Sequence, residues 1–218
     1  MPRIPDSPKY IANLHETIRR FLEPIEGVRL NVVIRSLTGH RVLSWDENDQ
    51  DCRALKGPLT KGLGATTRKL AKTGIESRRP NEVGNYIETP VKRALAREGF
   101  NAGIPDVAAG GRQSAGYPDI LLEMEGRPPI YLECKTYNQA NVDTTQRSFY
   151  LSPPCSKVSR DAYHLLVAFE VVRRGRTYYP RHYRLLSIED LPLELKHEFN
   201  ASNRVLYREC RLVSEGYG

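Results

Sequence analysis

Three observations predict an α/β fold. Two short apolar runs, 120–122 and 130–132, are joined by a connection holding Gly126, Pro128 and Pro129, which reads as two strands rather than a helix. Ile87, Val91 and Leu95 recur at helical spacing within residues 85–100, with charges on the other face and Gly99 as a stop. A strongly apolar run over 164–172 supplies a further strand.

Taken along the chain, Ile11, Leu14, Ile18, Phe21 and Leu22 follow helical spacing over residues 7–23 until Pro24 ends the run, and such a helix packs or dimerises. Residues 28–34 then read as a strand. In the helix over 85–100, Glu88 lies three residues before Val91 and seven before Leu95, on or beside the inward stripe. A carboxylate there is costly unless it is paired or bound to metal. If instead the helix starts at Pro90, Thr89 becomes the cap and Glu88 falls outside it.

The hairpin carries the chemistry. Side chains alternate along a strand, so Glu133 and Lys135 point the same way, about 7 Å apart, while Cys134 points to the other face. Asp119 begins the neighbouring strand, where an antiparallel partner places it beside Glu133 or Lys135. Mg²⁺ takes oxygen ligands and keeps several waters, so one or two carboxylates, a backbone carbonyl and a substrate phosphate suit it. Asp119 and Glu133 are the candidate ligands, with the Cys134 backbone carbonyl as a third. A lysine beside the metal, here Lys135, can orient or deprotonate the attacking water and offset charge in the transition state. An isolated Glu-x-Lys would mean only a solvated strand face. The preceding Pro118-Asp119, the spacing and the apolar strands turn the reading towards a metal-dependent nuclease.

Pro118-Asp119 followed by Glu133-Cys134-Lys135 resembles the PD-(D/E)xK nuclease superfamily, which includes type II restriction endonucleases, Holliday-junction resolvases and repair nucleases. The resemblance implies a restriction-endonuclease-like core: a mixed central β-sheet flanked by helices, with the acidic motif on two adjacent strands. It also implies an upstream helix that supplies another acid, for which Glu88 is the candidate. Segments 79–85, 147–151 and 196–203 are similar to stretches of some small restriction enzymes, so the likeness spans roughly residues 79–207, with the acidic motif its specific part. Resolvases of the superfamily are usually much shorter, and the extra N-terminal third fits an enzyme that also reads a sequence. The implied activity is therefore that of a Mg²⁺-dependent type II restriction endonuclease. It would be a homodimer that clamps a short palindromic site in double-stranded DNA and cuts one phosphodiester per strand. Glu88, Asp119 and Glu133 would hold metal, Lys135 would serve the water, and a cognate DNA methyltransferase would act on the same site. A structure-selective nuclease and a non-catalytic DNA-binding module are the alternatives; intact Asp119, Glu133 and Lys135 argue against the second.

Charge agrees with a polyanion partner. The chain has 33 Lys and Arg against 26 Asp and Glu, a formal net charge of +7, and a pI of about 9.3. Between Cys52 and Pro80, Arg53, Lys56, Lys61, Arg68, Lys69, Lys72, Arg78 and Arg79 face one acid, Glu76. Gly57, Gly62, Gly64 and Gly74 and the hydroxyls of Thr60, Thr66, Thr67 and Thr73 are interleaved, which would let backbone amides approach phosphates. This segment is expected to bind DNA, chiefly through Lys56, Lys61, Arg68, Lys69, Arg78 and Arg79; a solvated loop and short basic helix is the plainer reading. A second cluster, Arg173, Arg174, Arg176, Arg181 and Arg184 with Tyr178, Tyr179 and Tyr183, surrounds an expected turn at Gly175. These arginines either contact DNA or protect a sheet edge, and both readings stand. Gln146, Arg147 and Ser148, just past the motif, are candidate base or phosphate contacts.

Length and composition fit one nuclease domain over 1–218, with 1–80 as a helical, basic DNA-binding and dimerisation part and 81–218 as the catalytic core. The four cysteines form no Cys-x-x-Cys pair and read as reduced thiols. The five histidines form no ligand pair, and His164 reads as a satisfied core or interface residue; Asp106 reads as a turn residue. Neither a membrane span nor a secretory signal is indicated, so the expected location is cytoplasmic.

Overall fold

Apolar alternation in the second half of the chain builds a central sheet, and two long helices, at 50–73 and 83–97, cover one face of it. The computed structural model describes residues 8–23, 25–77, 82–106, 116–141, 149–151 and 157–195, with scattered positions from 202 to 214. In chain order they form α1 (Pro8–Leu22), β1 (Ile25–Arg29), α2 (Leu30–Thr38), β2 (Val42–Leu43), α3 (Gln50–Thr73), β3 (Ile75–Glu76), α4 (Val83–Arg97), β4 (Asn101–Gly103), β5 (Ile120–Glu123), β6 (Ile130–Tyr137), β7 (Ala162–Arg174), β8 (Thr177–Ser187) and β9 (Pro192–Leu195).

The chain divides into two compact units, Val28–Pro192 and the remainder, Met1–Gly27 with Leu193–Gly218. In the second, α1 is the helix its spacing predicts, with Tyr10, Ile11, Phe21 and Leu22 exposed along it. In the first, a seven-stranded sheet runs β3-β8-β7-β6-β5-β4, with β2 pairing β7. β5 and β6 are antiparallel, with Ile120 opposite Leu132, as the hairpin reading requires. β6 and β7 are parallel, and β7 returns antiparallel into β8 through Gly175, whose φ of 62° suits glycine. This mixed sheet flanked by helices is the restriction-endonuclease-like architecture expected. Among the described residues no helix is long and apolar enough to cross a membrane.

The core lies on one face of the sheet. Ile130, Leu132 and Cys134 of β6 and Leu165, Val167 and Phe169 of β7 cluster with Leu55, Leu59 and Leu63 of α3 and Ile87, Val91 and Leu95 of α4. Burying such side chains stabilises by about 1.5–3 kcal/mol each. That gain explains why Pro58 and Pro90 sit inside α3 and α4, although an interior proline costs about 3 kcal/mol. Gly62 lets the two helices close on each other, since a Cβ there would stand 2.7 Å from Leu95 Cδ2.

Two local expectations change, and one open alternative closes. Residues 28–34 are not one strand: β1 ends at Arg29 and α2 begins at Leu30. Leu30 and Ile34, one helical turn apart, are both fully buried, and Gly39 closes the helix with φ 77° while its N–H bonds the Arg35 carbonyl. The glycine- and threonine-rich stretch after Cys52 is the long helix α3, so its amides serve the helix ladder rather than phosphates. Thr66 and Thr67 turn their hydroxyls back onto the carbonyls of Gly62 and Leu63. Finally, α4 starts at Val83, which places Glu88 on the helix and Pro90 within it.

The opposite sheet face buries Tyr117, Tyr131 and His164, and His164 is the core residue expected. The Tyr117 phenol, its pKa held well above 10 by burial, shares a hydrogen bond with His164 Nδ1 at 2.5 Å; His164 Nε2 has no hydrogen-bond partner among the described residues. Burial pulls the imidazole pKa down to about 4. An unfolded imidazole titrates near 6.5, so between those values the unfolded chain binds a proton that the folded one refuses. Its contribution is therefore complete above pH 6.5 and is lost as the pH falls towards 4. Urea unfolding of the wild type and of His164→Gln at pH 7 and pH 5 is expected to show the wild type losing about 2 kcal/mol more than the variant over that interval. Equal losses would mean that His164 is already protonated, or freely hydrated, in the fold.

Candidate active site

The site is assembled by strand register. Asp119 immediately precedes β5, and the pairing of Ile120 with Leu132 sets it beside Glu133. Its Oδ2 accepts a hydrogen bond from the Cys134 backbone N–H at 2.8 Å, so the carboxylate is held against the neighbouring strand. One step further along β6, Lys135 Nζ meets Glu133 Oε1 at 2.6 Å. Glu133 is only 3% exposed, whereas the Lys135 side chain retains 30% exposure. The lysine thus forms the open side of the pair. Cys134 takes the opposite face, in the core, where burial pushes its thiol pKa well up.

The electrostatics are those of crowded carboxylates. Glu133 Oε2 is buried and has no hydrogen-bond partner among the described residues. Burial first, then the adjacent Asp119 charge, raise the Glu133 pKa to about 7 against the opposing pull of Lys135. Glu88, half-buried on α4, belongs to the same field: burial and then Asp119 push it up, while Lys92, Lys157 and Lys135 pull it down. The structure brings Glu88, Asp119, Glu133 and Lys135 into one electrostatic neighbourhood. Among the described residues, no three His, Cys, Asp or Glu side chains already form a metal-binding cluster. Asp119 and Glu133 nevertheless fit a hard divalent cation that keeps part of its water, because a buried carboxylate oxygen without a donor, next to a second carboxylate, is the environment such an ion relieves.

One residue that the sequence reading did not single out is Lys157. It is fully buried, and its Nζ donates to the carbonyls of Gly116 at 2.7 Å and Pro118 at 3.2 Å, directly behind Asp119. No periodicity or motif marks it, and it follows the acidic motif at a distance in sequence.

The basic residues are divided by the sheet. α3 packs on the Cys134 side, opposite Glu133 and Lys135, and two of its cations already carry acids: Lys56 with Glu47 at 2.5 Å and Lys61 with Glu98 at 2.8 Å. Arg68 and Lys69 are exposed on the same helix. Arg173, Arg174 and Arg176 gather at the β7–β8 turn, where Arg173 lies over Tyr178 at 5.8 Å and Arg174 over Tyr179 at 5.6 Å. In register Lys135 pairs with Ala168, six residues before Arg174, so the turn begins about 20 Å along the strand from the lysine. Arg184, across from Ala168 on β8 and over the Tyr137 ring at 5.8 Å, lies closer in register. Arg78, Arg79, Gln146, Arg147 and Ser148 lie outside the described residues.

Comparison with known proteins joins this geometry to a family. A family profile described as the type II restriction enzyme MjaV family matches residues 25–210. The type II restriction enzyme MjaV of Methanocaldococcus jannaschii is 32% identical over 226 residues, covering 96% of this chain and 98% of that protein. The match takes in both strands of the acidic hairpin and the helix that bears Glu88, and with it the chain belongs to the MjaV family of type II restriction enzymes.

Proposed function

We propose that the protein is a Mg²⁺-dependent, site-specific endonuclease that hydrolyses one phosphodiester in each strand of a short duplex DNA sequence. The observation that carries this reading is the Asp119, Glu133 and Lys135 arrangement on adjacent strands, with a buried Glu133 oxygen left without a partner. Asp119 and Glu133 would hold Mg²⁺, with the Cys134 backbone carbonyl as a further oxygen ligand and Glu88 as the third acid of the site. When bound, the ion polarises the phosphate and lowers the pKa of a coordinated water. Lys135, at the open side, holds the attacking water in line with phosphorus and offsets the charge that develops on the phosphoryl oxygens. The Cys134 N–H keeps Asp119 oriented throughout.

Two antiparallel strands are cut equivalently by a two-fold protein, so the working enzyme is a homodimer. Arg68 and Lys69 of α3, with Arg173, Arg174 and Arg176 of the β7–β8 turn, are the candidate phosphate contacts among the described residues that carry no acid partner in an ion pair. Arg78, Arg79, Gln146, Arg147 and Ser148 complete that set from the sequence reading. The enzyme acts in the cytoplasm, beside a methyltransferase that protects the same DNA site.

An unmethylated, fully sequenced phage genome incubated with the protein and Mg²⁺ is expected to give discrete ends sharing one short motif, and none in EDTA. Lys135→Ala should reduce the cleavage rate by about 10²–10³-fold at saturating Mg²⁺; wild-type cleavage by that variant would remove Lys135 from the chemistry. Ends without a common motif, or cutting confined to branched DNA, would exclude sequence-specific restriction.

DNA affinity should fall steeply with salt. If about six phosphates are neutralised, the log-log slope is roughly −5, and Arg174→Ala should flatten it by about 1. A slope unaltered by that substitution would take the β7–β8 turn out of the phosphate interface.

A further inference from the structure

Lys157 is fully buried, so unlike the exposed cations it cannot reach DNA, and its geometry gives it a different task. Its ammonium donates to two carbonyls of a single turn, Gly116 O at 2.7 Å and Pro118 O at 3.2 Å. The Pro118 carbonyl is part of the planar peptide unit that also contains the nitrogen and Cα of Asp119. A donor fixed on that oxygen therefore fixes the plane from which the Asp119 side chain leaves the backbone. At the other end of the same residue, Oδ2 is fixed by the Cys134 N–H at 2.8 Å. Asp119 is thus held at both its backbone and its carboxylate, by two groups from different parts of the chain.

We infer that Lys157 is a positioning residue for the metal-binding carboxylates, clamping the Gly116–Asp119 turn so that Asp119 meets Glu133 at the cation site. The inference rests on the endonuclease reading above and adds to it a residue that acts through Asp119 rather than on DNA. Charge supports the same role. A buried ammonium is costly on its own, and this one sits within reach of the Glu88 carboxylate field, which it pulls towards the ionised form. Lys157 therefore places its ammonium group behind the carboxylates, while Lys135 stands on their open side. Groups that orient the ligands of a metal are worth roughly 10–100-fold in metal affinity or activity when removed.

The test uses Lys157→Met, which keeps the length of the side chain without its charge, and Lys157→Gln, which keeps one donor. Each is compared with the wild type in four measurements on the full-length protein: thermal unfolding, DNA affinity in EDTA, calorimetric titration with Mg²⁺ alone, and single-turnover cleavage across a Mg²⁺ series. The expected result for Lys157→Met is cooperative unfolding and DNA affinity within about twofold of wild type, with Mg²⁺ affinity and cleavage rate both lowered by roughly 10–100-fold. Lys157→Gln should recover part of both losses. Unchanged Mg²⁺ affinity and an unchanged Mg²⁺ dependence of cleavage in Lys157→Met would overturn the proposal. So would a failure of both variants to fold, which would assign Lys157 to the stability of the whole unit. Absence of metal-dependent cleavage by the wild type is a separate result: it would reject the endonuclease reading itself, whatever the variants do.

Discussion

The alternation of side chains along β6 is the constraint on which the rest depends. Ile130, Leu132 and Cys134 enter the core, so Glu133 and Lys135 have to leave by the other face. A one-residue slip would exchange the two sets. The magnitudes show why it does not occur. Ile120, Leu122, Ile130 and Leu132 are all fully buried, which together stabilises by roughly 6–12 kcal/mol as an upper bound. Raising the Glu133 pKa from 4.5 to about 7 corresponds to a cost of about 3 kcal/mol at most for its ionised form. Apolar burial outweighs that cost and fixes a register in which the carboxylates are held close together at their own expense.

That expense is the physical signature of the site. A protein selected only for stability would surround Glu133 with donors, yet one of its oxygens has a lysine and the other has no partner among the described residues. Asp119 adds a like charge instead of relieving it. Strongly perturbed groups of this kind concentrate at functional sites, because the missing compensation is supplied by what binds there. The arrangement is rigid as well as unfavourable, since Asp119 is held by the Cys134 N–H and Lys157 closes the turn behind it.

How much of this was legible in the sequence follows from how local each feature is. The hairpin and its parity depend on neighbouring residues and on a pairing that the apolar runs dictate, and the register then selects Glu133 from the two neighbours, Glu133 and Lys135, that the sequence allows Asp119. Glu88 was left open because Pro90 can begin a helix as readily as it can sit within one; burial of Val83 and Ile87 upstream settles the matter, and burial is a tertiary fact. The same reason made 28–34 look like a strand: its β-branched residues favour one, but Leu30 and Ile34 share a helical face that finds a core. The glycines and threonines of α3 suggested a phosphate-binding loop, whereas Gly62 serves helix contact and Thr66 and Thr67 bond their own helix. Lys157 could not have been found at all. Its role is defined by two backbone carbonyls some forty residues earlier in the chain, at 116 and 118, and no side-chain pattern records them.

The β7–β8 pair shows how the same sheet can extend beyond its site without losing definition. β6 ends opposite Glu170, while β7 continues four residues to Arg174, about 13 Å further. A free two-stranded ribbon of that length would be marginal in water. Here β3 pairs the outer edge of β8 at Tyr178 and Thr177, so the overhang is a three-stranded patch rather than a free hairpin. Arg173 and Arg174 each lie over a tyrosine of β8, and Arg173 Nε also donates to the Gly175 carbonyl at 2.8 Å. Such stacking restricts the guanidinium rotamers before any partner arrives and so reduces the entropy lost on contact with one. Arg184 is placed similarly over Tyr137, in line with Lys135 across the sheet. Tyr178 and Tyr179 of the second arginine cluster therefore act first as supports for the cations, and their value for either reading of that cluster lies in holding the charges still.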